Sequence, residues 1–144
     1  MTITETRPVQ KPIFGQITLA DMRGNKLLTK AVMARVAEVC GLFKGRYSAE
    51  QIADGIVAGD FDVWGVMRLP ATLEAVAVTC VADRAFHIIM LGPEGRDMFN
   101  FLPALAGVAR QKQCTVVRLS GPSFWRKQLP EGWRMASVVY EKAL

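Results

Sequence analysis

The chain is poor in the residues that nucleophilic and metal-dependent enzymes use. Its 144 residues include one histidine, three cysteines and two tyrosines. Cys40, Cys80 and Cys114 match neither a zinc-ligand spacing nor a CxxC redox motif, and no metal site is predicted. Each lies in an apolar segment, so we expect buried free thiols. A cysteine paired with the single histidine, His87, is the other interpretation.

Long hydrophobic runs and strong charge runs are also absent. No apolar run reaches the roughly 20 residues of a membrane helix, and Met1–Gln10 has no apolar core of signal-peptide length. A cytoplasmic protein that binds no membrane is therefore expected. The net charge of +5 is spread along the chain. It fits either a solvated surface or attraction to an acidic partner or a phosphate. No motif predicts specific nucleic-acid binding.

What is present indicates one globular domain. The chain is 51% hydrophobic and 22% charged, values typical of a folded domain rather than a disordered chain. We predict a single domain over residues 13–144, preceded by an extended polar arm, Met1–Pro12. The arm is either a frayed terminus or a segment that a partner subunit orders.

The first third of the chain predicts a strand followed by two helices. Phe14–Leu19 is the candidate strand. In Lys26–Phe43 apolar residues recur every three or four positions, as on one face of a helix, and Gly41 and Gly45 fit its end. A second helix begins at Ser48, because Ser48 and Gln51 have the spacing of a capping box. It ends at Gly59-Asp60, and its apolar side comprises Ile52, Ile56 and Val57.

The middle of the chain predicts three antiparallel strands. Apolar runs cover Phe61–Leu69, Leu73–Val81 and Ala85–Leu91, and short turns join them. Connections this short place consecutive strands side by side in opposite directions, so the three form a meander.

The last third alternates helices with strands. Arg96–Lys112 has a helical apolar face, and Pro103 within it predicts a kink or a later start. Cys114–Leu119 is predicted as a strand parallel to the preceding one, since a helical crossover joins them. Phe124–Leu129 is predicted as a short helix, and Trp133–Lys142 as the final strand.

This order of elements, from Phe14 to Leu144, resembles the GNAT N-acetyltransferase family, and in particular short, degenerate GNAT-like proteins encoded by bacteriophages. The pieces that carry the phage resemblance are Trp64, the helix end Ala109–Cys114, the segment Ser120–Trp125 and the strand Val139–Lys142. Gln113 stands where glycine is usual at that helix end. The resemblance implies an α/β fold with a GNAT-like mixed central sheet. In it, an antiparallel three-strand meander is followed by a β-α-β unit, with helices on both faces.

The resemblance also implies where a cofactor would lie. In the family, acetyl-CoA lies between the fourth and fifth strands, and its pyrophosphate contacts the loop that opens the long helix. Backbone N–H groups at such a helix start favour an anion. Carried over to this chain, the cofactor-binding residues are Met90, Leu91, Gly92, Gly95 and Arg96.

The loop matches the family only in part. Gly95 corresponds to the family's central glycine, whereas Gly92 replaces Gln or Arg and Asp97 replaces the final small residue. Glu94 and Asp97 bring negative charge to the loop, which Arg96 partly offsets. The alternative is a plain turn in which Asp97 stabilises the start of a helix through the helix dipole.

No catalytic residue is predicted with comparable support. The family often uses a tyrosine in the short helix as general acid, but Phe124–Leu129 contains none. Tyr140, on the last strand, is expected to be packed or exposed. Glu74, at the start of the second meander strand, is the weak candidate for the base. His87 is expected to be a structural histidine.

Two functions follow. The first is a non-catalytic binding or structural component on a degenerate GNAT fold, phage-encoded, located in the host cytoplasm or in the virion. It would need no cofactor and would bind a protein partner, either a phage structural protein, a host protein or a second copy of the chain. The alternative is an acetyl-CoA-dependent N-acetyltransferase that acts on a protein or small-molecule amine. Fold alone does not decide between them.

Overall fold

The protein is described by a computed structural model. The described residues are 12–42, 47–68, 72–93, 98–120, 129 and 131–133. The predicted arm before Pro12, the short helix before Leu129, the last strand beyond Trp133, and loop residues Gly95 and Arg96 lie outside them. The elements are β1 (Ile13–Ile17), α1 (Leu19–Arg23), α2 (Lys26–Leu42), α3 (Ala49–Ala58), β2 (Asp62–Arg68), β3 (Thr72–Ala82), β4 (Ala85–Gly92), a 3₁₀ turn (Met98–Phe101), α4 (Leu102–Gln111) and β5 (Val116–Leu119).

A mixed five-stranded sheet forms the centre of the fold. Its strand order is β1-β2-β3-β4-β5. The first four strands pair antiparallel, and β5 pairs parallel to β4. Asp83 and Arg84 close the β3–β4 hairpin with φ values of 51° and 62°, the geometry of a two-residue turn that follows the sheet twist. The predicted meander and parallel crossover are both confirmed.

Helices α1, α2 and α3 cover one face of the sheet. Val32, Val36 and Val39 lie three or four residues apart along α2 and are fully buried, as the periodicity predicted. They share a core cluster with Ile52 of α3 and with Val76 of β3, among others. One of the two cores therefore lies on this face of the sheet.

The opposite face is covered by α4. Leu102, Leu105 and Ala109 are buried against a cluster that includes Phe86 and Ile88 of β4. The α-helix does not begin at Arg96 but at Leu102, after the 3₁₀ turn, and Pro103 lies in its first turn. Proline is tolerated there because the first N–H groups of a helix have no intrahelical acceptor. The predicted later start is confirmed, and helices lie on both faces.

The second predicted helix has the predicted ends. Ser48 Oγ accepts from the Gln51 N–H at 3.1 Å, and Gln51 Oε1 accepts from the Ser48 N–H at 2.9 Å. Gly59 ends α3 with φ 82°, a conformation that glycine adopts without strain. The prediction that Val57 belongs to the apolar side is wrong, because Val57 is 64% exposed. It follows Ile56 directly, and one residue turns a helix by about 100°.

The structure corrects two further boundaries. The first strand ends at Ile17 rather than Leu19, because Thr18 and Asp21 form a second capping box that begins α1. That short helix was not predicted. Gly41 lies inside α2 and does not end it.

Candidate functional site

Among the described residues, the fourth and fifth strands pair only over the first half of β4. Their parallel ladder runs from Ala85 opposite Val116 to Ile88 opposite Leu119. The Ser120 N–H then donates to the Ile88 carbonyl at 3.1 Å. Beyond Ile88, β4 continues to Gly92 and pairs only with β3 among the described residues. The end of β4 is thus held on one side and has no strand partner on its β5 side in this part of the chain.

A β-bulge lies at the point where the two strands separate. Val78 of β3 is opposite Met90, whereas the next residue, Thr79, is opposite Ile88. Ile89 is therefore the extra residue. Ile88 and Leu91 belong to the α4-side cluster, whereas Ile89 and Met90 pack in the α2-side core. A bulge re-aims the strand that carries it, and such bulges are frequent beside active sites.

Gly92 ends β4 in a backbone conformation that a side chain would strain. Its φ is 151°, in a region that glycine populates readily and other residues rarely. The residue is buried and pairs with Val76 of β3. A strand end without a side chain lets another group approach its backbone closely.

The structure brings three of the predicted cofactor residues together. Met90, Leu91 and Gly92 form the end of β4 beyond the separation from β5. Met90 and Leu91 are 5% and 2% exposed, and their side chains enter opposite cores. Only the backbone groups of these two residues therefore lie in the plane of the sheet, on the side of β4 where β5 pairs with its earlier residues. Gly95 and Arg96 lie outside the described residues.

Glu74, the candidate base, lies at the same end of the sheet. Gly92 pairs with Val76, and Glu74 is two residues before Val76 on β3. It is the extra residue of a second irregularity, because Val66 is opposite Ala75 and Met67 is opposite Leu73. Its position at the edge beside the end of β4 suits a role near the site.

The Glu74 carboxylate already has a cationic partner. Arg68 Nε donates to Glu74 Oε1 at 2.5 Å, and both side chains are about one-third exposed. A carboxylate has two oxygens with about four lone-pair positions, so Glu74 keeps a lone pair for a substrate while this contact is in place. No motif or periodicity in the sequence singles out Arg68. Its signal was an opposite charge near the turn of a predicted hairpin, where cross-strand ion pairs form.

A second arginine reaches the same region from α2. Arg35 Nε donates to the Leu73 carbonyl at 2.9 Å, across 38 positions of sequence. Its Nη1 forms an ion pair with Glu38 at 2.8 Å. These contacts tie α2 to the irregular start of β3. No periodicity signals such a bond, because Arg35 and Leu73 are distant in the chain.

His87 has a cysteine and an arginine as its cross-strand neighbours. Cys80 of β3 is opposite His87, and Arg118 of β5 is opposite it on the other side. Burial raises the pKa of the Cys80 thiol. A nucleophilic cysteine needs a lowered pKa, so Cys80 lacks the activation that a catalytic dyad requires. All three cysteines are free and half-buried.

The tryptophans that the structure describes pack against the α4-side core. Trp64 is 7% exposed, and its indole Nε1 donates to the buried Thr79 hydroxyl at 2.9 Å. Trp133 packs against the same cluster. Trp64 is thus a core residue, and Trp133 is a partly buried residue beside the same core.

Two classes of feature are absent from the described part of the chain. It contains no helix that is long and apolar enough to cross a membrane. It also contains no group of three or more histidine, cysteine, aspartate or glutamate side chains arranged to hold a metal ion.

No protein-family model and no curated protein sequence matches the chain. Solved structures do match, and several are acetyltransferases. An acetyltransferase of Trypanosoma brucei has a TM-score of 0.59 at 15% identity, over 93% of this chain and 100% of the other. A GNAT family acetyltransferase of Staphylococcus aureus has a TM-score of 0.61 at 7% identity, over 93% and 99%.

A third match is glucosamine-6-phosphate N-acetyltransferase from Arabidopsis thaliana. Its TM-score is 0.57 at 14% identity, over 93% of this chain and 99% of the other. Identities this low carry no information about substrate, but the coverage is nearly complete in both directions. The α/β fold of this chain, with its mixed five-stranded sheet and helices on both faces, is the fold of the GNAT-family acetyltransferases.

Proposed function

We propose that the chain is an acetyl-CoA-dependent N-acetyltransferase that acts on an amine of a protein or a small molecule. One observation supports the proposal: among the described residues β4 has no β5 partner after Ile88, where a bulge lies, and it ends in Gly92. In a protein without catalytic activity, pairing both edges of a buried strand would make the fold more stable. Within the described part of the chain, this buried strand end instead has backbone groups on its β5 side that no strand pairs, and a ligand would bind them.

The residues of the chain fit this cofactor in part. The backbone of Met90, Leu91 and Gly92 would bind its extended arm, as one strand binds another. Gly95 and Arg96 would contact its phosphates through a backbone N–H and a guanidinium. Bound acetyl-CoA would supply an activated acetyl group: a carbon–nitrogen bond to the amine forms, the thioester carbon–sulfur bond breaks, and the amine's proton ends on sulfur.

Two groups are available to remove that proton. Glu74 lies at the same end of the sheet, where Arg68 orients its carboxylate. A water molecule is the alternative acceptor. Backbone N–H groups at the end of β4 would stabilise negative charge on the carbonyl oxygen. The residue that acts as general acid is left open, since Phe124–Leu129 contains no tyrosine.

A second function is favoured by the composition of the loop. Glu94 and Asp97 would lie beside the pyrophosphate and oppose its binding. In that case the chain is a non-catalytic protein on the same fold, and its ligand is another protein, in keeping with the phage resemblance. A location in a host cytoplasm or a virion belongs to this second proposal.

Titration calorimetry with CoA and with acetyl-CoA tests the first proposal. We expect a dissociation constant in the micromolar range. Arg96→Ala should weaken it about tenfold or more, the usual effect of losing one hydrogen bond from a charged group. Arg110→Ala is the matched control, because Arg110 is an exposed arginine in the last turn of α4. No heat from the wild-type chain would overturn the proposal.

Release of free CoA, followed with a panel of amines, then separates the two functions. Turnover with any amine supports the transferase, and Glu74→Gln should reduce kcat with little change in the affinity for acetyl-CoA. Binding without turnover on proteins and small amines alike would favour the non-catalytic function.

A further inference from the structure

Three aromatic rings connect the first strand to the start of α4. Phe14 of β1 stacks on Trp64 of β2, with ring centroids 5.7 Å apart and an interplanar angle of 5°. The same phenyl ring stacks on Phe101, at 5.0 Å and 22°. Parallel rings at these separations attract beyond the burial of their area. Phe14 is thus the central member of the stack.

One end of the stack is rigidly held. Trp64 is buried in the sheet, and its indole N–H is bonded to the Thr79 hydroxyl at 2.9 Å. Phe14 and Trp64 are diagonal neighbours, because Phe14 is opposite Val66 and Trp64 is opposite Gln16. Such diagonal pairs lie within reach of aromatic rings. The indole therefore provides a fixed surface for Phe14.

The other end of the stack is the turn that follows the candidate site. Phe101 is the last residue of the 3₁₀ turn Met98–Phe101, which follows the end of β4 by a short stretch of chain. Phe99, within the turn, is buried in the same cluster as Leu91 of β4, so the core already holds one side of the turn. Phe14 adds a contact from a strand that lies far away in sequence.

We propose that Phe14 is a positioning residue for acetyl-CoA binding, because its ring holds the turn Met98–Phe101 in place relative to the end of β4. The inference rests on the proposed function. In this proposal Phe14 acts through its ring contact with Phe101 and not by binding substrate. Without the ring, the turn would sample positions that bind the cofactor less well, and the apparent affinity would fall with the population of the competent position.

The test compares variants at position 14. Phe14→Ala should weaken the affinity for CoA, measured by calorimetry, by about tenfold. Phe14→Tyr keeps the ring and should stay within about twofold of the wild type, whereas Phe14→Leu keeps apolar volume without stacking and should behave like Phe14→Ala. In turnover with acetyl-CoA, the Ala variant should raise KM more than it lowers kcat.

Variants at Ile52, on the other face of the sheet, control for a general loss of stability. Ile52→Val and Ile52→Ala remove volume from a fully buried site in the α2-side core. Their urea midpoints should bracket that of Phe14→Ala, while their affinity for CoA stays that of the wild type. Amide hydrogen exchange adds a readout that needs no cofactor: Phe14→Ala should speed exchange in residues 101–105 before that in β3.

The outcomes separate the two proposals. If the wild-type chain binds CoA and Phe14→Ala binds it equally well, or if exchange in residues 101–105 is unchanged, the positioning role is overturned and the proposed function stands. If the Ile52 variants lose affinity in step with stability, the effect of Phe14 is general and the positioning role is again overturned. If the wild type binds no CoA, the proposed function fails and this inference fails with it.

Discussion

The phenyl ring of Phe61 occupies the space into which a side chain at Gly55 would project. A Cβ on Gly55 would overlap the Cδ2 and Cε2 atoms of Phe61. The ring is also held edge-on by Tyr47, with centroids 6.1 Å apart and an interplanar angle of 84°. It therefore has little freedom to move aside, and Gly55 sets how closely α3 approaches the start of β2.

Gly55→Ala should consequently destabilise the protein, although alanine favours helix. Overpacking a closed site costs about 1–3 kcal/mol, more than the helix propensity returns. Gly107→Ala in α4 is the matched control, because nothing lies within 4 Å of its Cβ position. It should stabilise by about 0.5–1 kcal/mol. Urea denaturation should show that the free energy of unfolding falls in Gly55→Ala and rises in Gly107→Ala. A stabilised Gly55→Ala would contradict the proposed packing.

Thr79→Val should leave the buried indole N–H of Trp64 without its acceptor. The hydroxyl–indole bond is 2.9 Å long and Thr79 is fully buried. An unsatisfied buried donor costs about 1–3 kcal/mol of unfolding free energy. Thr79→Ser keeps the hydroxyl and should cost less. In the Trp64→Phe background the two substitutions should differ far less, which a double-mutant cycle would measure; an unchanged difference would rule out the bond as the cause.

Gln113→Gly should stabilise the end of α4. Gln113 has φ 61° directly after the helix, a left-handed conformation that costs a residue with a side chain about 1–2 kcal/mol. We expect a gain of about 1 kcal/mol in thermal or urea unfolding. Gln111→Gly, two residues earlier and inside α4, should lose about as much. Equal effects at the two positions would contradict the assigned helix end.

The stability of α1 should depend on pH through Asp21. Hydrogen bonds from the Thr18 backbone N–H and then from its side chain hold the pKa of Asp21 below its usual value of 3.8. A pKa lowered on folding means that the contribution is complete above the unfolded pKa and is lost as pH falls through the folded one. Wild type and Asp21→Asn should therefore differ in urea midpoint at pH 7 and converge below about pH 4.

The exposed Asp54 of α3 supplies the control for that experiment. Asp54→Asn removes the same charge from a helix position outside the capping box. Asp54→Asn should leave the urea midpoint at pH 7 close to that of the wild type. A gap for Asp21→Asn that widens at low pH would contradict the sign of the shift.

Part of the candidate site follows from local sequence. The apolar run of β4 ends where Gly92-Pro93 begins, so the run alone predicts that Met90, Leu91 and Gly92 lie at a strand end. The sequence also shows Gln113 at a helix end where glycine is usual. The structure explains that usage, because Gln113 has a positive φ, the conformation that glycine favours. Local signals of this kind are reliable because caps, turns and breakers act within a few residues.

Other parts of the site needed the register of the sheet. Ile88, Ile89, Met90 and Leu91 are all apolar, so no alternation reveals that Ile89 is an extra residue. The Arg68–Glu74 pair depends on the irregular pairing of β2 with β3. A one-residue change of register moves every side chain to the other face, and sequence periodicity cannot detect such a change within a fully apolar run.

The sequence by itself determined the type and order of the described elements, save α1 and the 3₁₀ turn, because hydrophobic periodicity, turn residues and capping boxes act locally. It also determined the directions of β3, β4 and β5, each relative to the strand before it, since connection length decides between a hairpin and a crossover. Only the tertiary structure decided where β4 and β5 separate, which residues bulge, and that Phe14 meets Phe101. These relationships join residues far apart in the chain, and their geometry follows from packing both faces of one sheet at once.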